Sequence, residues 1–66
     1  MQVMINGQWH QKDPPLSVAG LLDEMSLDHR RVAVELNREI VPRADYHATM
    51  LAEKDELEIV TLVGGG

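Results

Sequence analysis

The stretch from residue 1 to residue 25, MQVMINGQWHQKDPPLSVAGLLDEM, changes its pattern three times, and those changes decide the fold. Val3 and Ile5 alternate with Gln2 and Met4, the period of two that a strand requires. Asn6-Gly7 follows, a pair that tolerates the positive φ of a type I′ turn and is the strongest short hairpin signal. A second strand is then expected over about Gln8 to Lys12, with Trp9 on one face. Asp13-Pro14-Pro15 ends it, because proline cannot donate to a ladder. Ser17 is a helix N-cap by residue type, and Leu16 and Leu21 are spaced as a hydrophobic staple. Val18, Leu21, Leu22 and Met25 then fall at i, i+3, i+4 and i+7, one apolar helical stripe. Gly20 inside that helix costs roughly 1 kcal/mol against alanine, so a close packing contact is expected there.

Beyond this stretch the period returns to two. Val32, Val34 and Leu36 face one way, and Ala33, Glu35 and Asn37 the other, a strand with one buried face. Ile40 and Val41 suit a short strand stopped by Pro42. The polar stretch from Arg43 to Leu51 carries two anchors, Tyr46 and Leu51, and Glu53-Lys54-Asp55-Glu56 reads as an exposed turn. Leu57 to Val63 is the last strand, and Gly64-Gly65-Gly66 follows it. A hairpin followed by a helix that crosses over to a parallel strand is a compact way to cover one sheet face. The expected architecture is therefore α+β: a mixed sheet of four to five strands on one helix. The folded domain is placed at 1–63 and a flexible tail at 64–66.

Size and charge narrow the function. A chain of 66 residues makes one domain, and a core of that size is marginal. With no cysteine there is no disulfide and no thiolate nucleophile or metal ligand, so stability rests on apolar packing. The hydrophobic content of 44% suffices for that and argues against disorder. Eleven acidic against six basic side chains leave a formal charge of -5, which argues against nucleic-acid binding and suits docking to a basic protein surface. The N-terminal residues lack a signal-peptide pattern and no apolar run is long enough to span a membrane, so a cytoplasmic location is expected.

Two features call for a reason. Glycine loses the most backbone freedom on ordering, so three glycines after the last strand are a poor structural investment. They read either as a frayed end or cloning remnant, or as a narrow segment that enters a slot in another protein and presents an unhindered carboxylate. The last strand is apolar on both sides: Leu57, Ile59, Thr61 and Val63 on one, Val60 and Leu62 on the other. One helix covers one sheet face, so one of these sets is left partly exposed. It is either ordinary surface or a partner-binding patch.

Catalytic signals are missing. No glycine-rich phosphate loop precedes a helix. His10, His29 and His47 are widely separated and lack metal-ligand spacing, so each reads as a surface or structural histidine. Asp23-Glu24 and the carboxylates from Glu53 to Glu58 read as solvated faces, with no signature of acid/base work. The expectation is a chain with no catalytic residue and no metal site.

Four stretches together resemble a known family: I-N-G-Q, S-V-A-G-L-L, V-A-V-E-L-N-R-E-I-V-P-R and L-E-I-V-T-L-V-G-G-G. They resemble ThiS, the sulfur carriers of thiamine thiazole synthesis, over nearly the whole chain. N-R-E-I-V-P-R together with the glycine ending is the specific part. The resemblance implies the ubiquitin-like β-grasp fold and a carrier that is not itself an enzyme. It implies that a ThiF-like adenylyltransferase uses MgATP to activate the Gly66 carboxylate, with no cofactor bound by this chain. It further implies that a sulfur donor protein converts that group to a thiocarboxylate, and that a ThiG-like thiazole synthase takes the sulfur. Gly66 is then the modified residue, Gly64, Gly65 and Gly66 form the tail, and Val60, Leu62 and Val63 are the candidate partner-binding residues. A molybdopterin-synthesis carrier of the MoaD type is the sibling alternative, although such chains usually are longer and carry proline before the glycines. A ubiquitin-like conjugation or interaction module is the alternative from another class, poorly served by only two lysines, Lys12 and Lys54.

Overall fold

A computed structural model describes residues 1–63. Gly64, Gly65 and Gly66 lie outside the described residues. Strand β1 (Gln2–Ile5) turns through Asn6-Gly7, both at positive φ, into β2 (Gln8–Gln11). Reciprocal bonds between Met1 and Lys12 continue the pairing past the end of β2 (Lys12 N–H to Met1 O 2.8 Å, Met1 N to Lys12 O 2.7 Å). Helix α1 (Val18–Glu24) follows, then a short 3-10 turn at His29–Arg31, β3 (Val32–Leu36), β4 (Glu39–Ile40), a second 3-10 turn at Arg43–Asp45, and β5 (Glu56–Thr61). The sheet order is β2-β1-β5-β3-β4. The chain runs from β2 through α1 to β3, which points the same way as β2, and the gap between β1 and β3 is filled by β5. Strand β5 pairs in parallel with β1 and antiparallel with β3.

The helix begins where the sequence places it. The Ser17 hydroxyl accepts the Gly20 N–H at 2.9 Å. The preceding donors, Val18 N–H and Ala19 N–H, go to the carbonyls of Thr49 and Tyr46. The polar stretch before β5 is thus tied to the helix start, which satisfies the donors a helix N-terminus otherwise leaves open. A Cβ on Gly20 would stand 3.0 Å from Leu16 Cδ1, the close contact expected at that glycine.

Val18, Leu21 and Leu22 of α1 are buried with Val3, Ile5, Val32, Val34, Leu57 and Ile59 of the sheet, and Tyr46 and Leu51 close the core from the connecting segment. Two sequence expectations are corrected. Met25 is 37% exposed, because the helix ends at Glu24 and Met25 is its C-cap, so the buried stripe is Val18, Ala19, Leu21 and Leu22 and does not reach a third turn. Thr61 and Val63 are exposed although they alternate with Leu57 and Ile59. The seven residues of α1 rise only about 10 Å, less than half the length of an extended segment from Glu56 to Val63. The ladder of β5 itself ends at Thr61 and not at Val63.

Candidate functional site at the exit of the last strand

Register assigns every side chain of the sheet to a face. Val3, Ile5, Leu57, Ile59, Val32 and Val34 share the face under the helix. On the opposite face Met4 stands beside Trp9 and Glu56, Glu35 beside Glu58 and Ile40, and Ala33 beside Val60. None of the described helices covers that open face. Its two ends differ in chemistry. Toward the entry of β5, Met4, Glu35, Arg38, Glu56, Leu57 and Glu58 line a shallow depression of about 150 Å³. Glu35 and Glu58 are direct cross-strand partners, a like-charge arrangement that costs stability unless a cation lies near. Toward the exit, Val60 (56% exposed) and Leu62 (49%) form an apolar strip, and Val63 beyond them is 94% exposed. Lys54 covers the ring of Trp9 at 4.9 Å on the far side of the face.

The exit of β5 is held on both flanks. On the β3 side the Leu62 N–H donates to the Arg31 carbonyl at 2.7 Å, one residue past the ladder. Arg31 is delivered by the 3-10 turn that Asp28 caps, where the Asp28 carboxylate accepts the Arg30 N–H at 2.9 Å. That backbone bond, then the Arg30 guanidinium, holds the Asp28 carboxyl below its ordinary value, and the Asp28 carboxylate, through its side-chain hydrogen bond and then its charge, raises the Arg30 guanidinium in turn. On the β1 side the backbone has already turned away at Asn6-Gly7, and the Asn6 side chain takes its place: the Ile59 N–H donates to Asn6 Oδ1 at 2.8 Å, and Asn6 Nδ2 donates to the Ile59 carbonyl at 3.1 Å.

The candidate partner residues Val60, Leu62 and Val63 are therefore contiguous with one another and lead directly to residue 64. The candidate tail residues Gly64, Gly65 and Gly66 lie outside the described residues. Sequence reasoning missed Asn6 and Asp28 at this site. Asn6 was legible only as a turn residue, and Asp28 only as a polar residue ahead of Arg30 and Arg31. The histidines are partly brought together: the rings of His29 and His47 lie 5.9 Å apart, and His29 pairs with Asp23 at 2.7 Å. Among the described residues no group of three or more His, Asp or Glu side chains is arranged to hold a metal ion, and no helix is long and apolar enough to cross a membrane.

A five-stranded mixed sheet on one helix, with an apolar strand exit running into glycines, defines a small β-grasp domain of the ubiquitin-like class. The comparisons with known proteins then specify it. The model of the ThiS family matches residues 3–66, and the chain belongs to that family. The crystal structure of the thiamine biosynthesis protein ThiS from Geobacter metallireducens superposes with a TM-score of 0.84 at 32% identity, covering 100% of both chains. The sulfur carrier protein ThiS of Bacillus subtilis is 40% identical over 50 residues, 76% of each chain. A thiazole synthase of Paramagnetospirillum magneticum is 42% identical over 66 residues, the whole of this chain but 20% of that protein. The chain thus spans about a fifth of the length of the thiazole synthases it matches. Of the alternatives left open by the glycine ending, the ThiS resemblance is the one that the family model and the named relatives match.

Proposed function

We propose that this chain is a sulfur carrier of thiamine biosynthesis whose working group is the Gly66 carboxylate. The observation that carries the reading is the family match through residue 66, glycines included, on a fold whose last strand exposes Val60, Leu62 and Val63 immediately before them. A carboxylate is a poor electrophile until one oxygen becomes a leaving group. In the proposed sequence the Gly66 carboxylate attacks the α-phosphorus of MgATP held by a ThiF-like adenylyltransferase, and pyrophosphate leaves. A sulfur donor protein then attacks the acyl carbon of the adenylate with the outer sulfur of a persulfide, the carbon–oxygen bond breaks, and AMP leaves. A thiol reductant next cleaves the sulfur–sulfur bond to the donor, is itself oxidised to a disulfide, and the thiocarboxylate is released. The thiocarboxylate carries its sulfur to a ThiG-like thiazole synthase. Matches to thiazole synthases that contain a stretch similar to this whole chain support that last partner.

The chain contributes binding and positioning, and the nucleotide belongs to the partner. The strip of Val60, Leu62 and Val63 suits an apolar docking contact, and the Glu35–Glu58 pair suits a partner that brings a lysine or arginine to the open face. Glycines at 64–66 keep the segment narrow enough for a slot, where a misplacement of about 1 Å at the reacting carboxylate is expensive.

The test is adenylation itself. ATP–pyrophosphate exchange by the cognate adenylyltransferase should depend on the carrier and collapse when one alanine is added after Gly66, which converts the reacting carboxylate to an amide. Thermal stability should be unchanged. Intact-mass measurement after co-expression with the adenylyltransferase and a sulfur source should detect exchange of one oxygen for sulfur. Full exchange activity in the extended variant would withdraw the carrier reading.

A further inference from the structure

We infer that Asn6 is a positioning residue for the carrier reaction: its carboxamide stands in for the missing β1 backbone and fixes the exit of β5 from which the reactive tail departs. The inference rests on the carrier reading above. Strand β1 pairs with β5 only at Met4↔Glu56 and Ile5↔Leu57, and the last backbone bond on that flank is Asn6 N–H to the Leu57 carbonyl at 2.9 Å. The next β5 residue facing that flank is Ile59. Its N–H and carbonyl would face the space left by the Asn6-Gly7 turn. The Asn6 side chain fills that role with one acceptor and one donor, the pairing a strand residue would have made. Asn6 is at φ 50, where asparagine is among the few side chains that sit without much strain, so the turn itself aims the amide.

The consequence falls on the tail. Beyond Ile59 the described bonds that hold the chain lie on the β3 flank: the Val60↔Ala33 and Thr61↔Val32 register, and Leu62 N–H to Arg31. With both flanks fixed at Ile59, the strip of Val60 and Leu62 leaves the sheet in one direction. With Asn6 removed, β5 would be held from one side over that length, and the strip and the segment after it would sample a fan of directions. A partner that must receive both the strip and the carboxylate would meet fewer competent copies, which weakens apparent binding in proportion.

The molecule holds its own control. Asn37 occupies the equivalent place in the other two-residue turn, at φ 51, and it too bonds to β5: Asn37 Oδ1 accepts the Glu56 N–H at 3.0 Å, and Asn37 Nδ2 donates to Asp55 Oδ1 at 3.0 Å. That clamp sits at the entry of β5, far from the tail. Glycine accepts positive φ, so Asn6→Gly and Asn37→Gly each delete a clamp while keeping the turn.

Both variants should fold with comparable losses in thermal stability. In Asn6→Gly, amide exchange at Ile59 and Leu62 should quicken roughly tenfold relative to the core amides of α1, the loss expected when two hydrogen bonds are exchanged for water. In ATP–pyrophosphate exchange the KM for the carrier should rise several-fold with kcat little changed. Asn37→Gly should leave both readouts near wild type. Equal KM shifts in the two variants, or unchanged exchange at Ile59 and Leu62 in Asn6→Gly, would overturn the assignment. A wild-type chain that supports no pyrophosphate exchange would instead overturn the carrier reading, and with it the role of Asn6 in transfer, while amide exchange still decides whether Asn6 holds β5.

Discussion

Leu57 and Ile59 on one side of β5 and Val60 and Leu62 on the other are chemically alike, yet the first pair is buried and the second is open. Chemistry of the side chain does not separate them. What separates them is the length and placement of one short helix. Helix α1 covers the inner face as far as Ile59 and leaves the outer face without a layer. The inner pair holds the domain together, and the outer pair is available to something else. Val60 and Leu62 are not the only large apolar side chains left exposed, since Ile40 and Met50 are open as well. What sets Val60 and Leu62 apart is their place on the strand that leads to residue 64.

The comparison breaks first at the core. Leu22→Ala removes a fully buried side chain that rests on the inner face, and it should cost about 2–5 kcal/mol. That is a large share of what a domain of this size has, so the variant should be close to unfolding at room temperature. Chemical denaturation measures it directly, and an unchanged midpoint would mean that the helix and the inner face of β5 are not one core.

Leu62→Asp probes the outer side. Leu62 is half exposed and holds its place through its backbone N–H, so stability should change by no more than about 0.5 kcal/mol. Affinity for the proposed partners, an adenylyltransferase and a thiazole synthase, should fall, because a carboxylate would be desolvated in an apolar contact. Calorimetric titration against each partner checks this. Unfolding of the variant would place Leu62 in the core and erase the distinction between the two sides.

How far this division was readable from the sequence depended on the range of the interaction. Local signals worked. Asn6-Gly7, the Ser17 cap and the alternation of Val32 and Val34 each act within a few residues, and the structure places all of them as read. The second hairpin was less legible. Asn37-Arg38 lacks the glycine that marks a type I′ turn, and Arg38 is held at φ 71 by the β3–β4 pairing around it. The insertion of β5 between β1 and β3 was not legible, because strand order carries no local signature. The double apolar character of β5 was visible, but which side would be open depended on where α1 stops. The Asn6 bonds to Ile59 span 53 residues, and nothing near residue 6 announces them.

Gly20→Ala sharpens the inner side by a smaller amount. Helix propensity favours alanine by about 1 kcal/mol. Against this, the new Cβ would stand 3.0 Å from Leu16 Cδ1 and 3.4 Å from the Ser17 hydroxyl that caps the helix. The first neighbour is the end of a side chain that can shift by a few tenths of an ångström, although Leu16 is itself buried. The net change should therefore fall short of the full propensity gain, and its sign is set by whether buried Leu16 can give way. A thermal melt showing the whole gain would mean that the helix packs less closely at Gly20 than these distances imply.

The smallest effect concerns the turn that carries the outer strip. Asp28 caps His29–Arg31, and Arg31 offers its carbonyl to Leu62. Its carboxyl is held below the ordinary range first by the Arg30 N–H, then by the Arg30 guanidinium, with Arg31 adding a weaker attraction. A carboxyl whose folded value is lowered favours folding at pH above its unfolded value, and the contribution is lost as pH falls through the lowered one. Asp28→Asn keeps an oxygen able to accept the Arg30 N–H but removes the charge. The wild type should accordingly be slightly more stable than the variant at neutral pH, and the gap should close on acidification. The side chain is exposed, so the gap is small and shrinks with added salt. Measuring denaturation midpoints of both proteins from neutral pH down through the carboxylate range checks the sign. A gap that persists unchanged in acid would mean that Asp28 acts through cap geometry alone. In that case the Leu62 amide, one bond further along, should also exchange at a rate independent of the Asp28 charge.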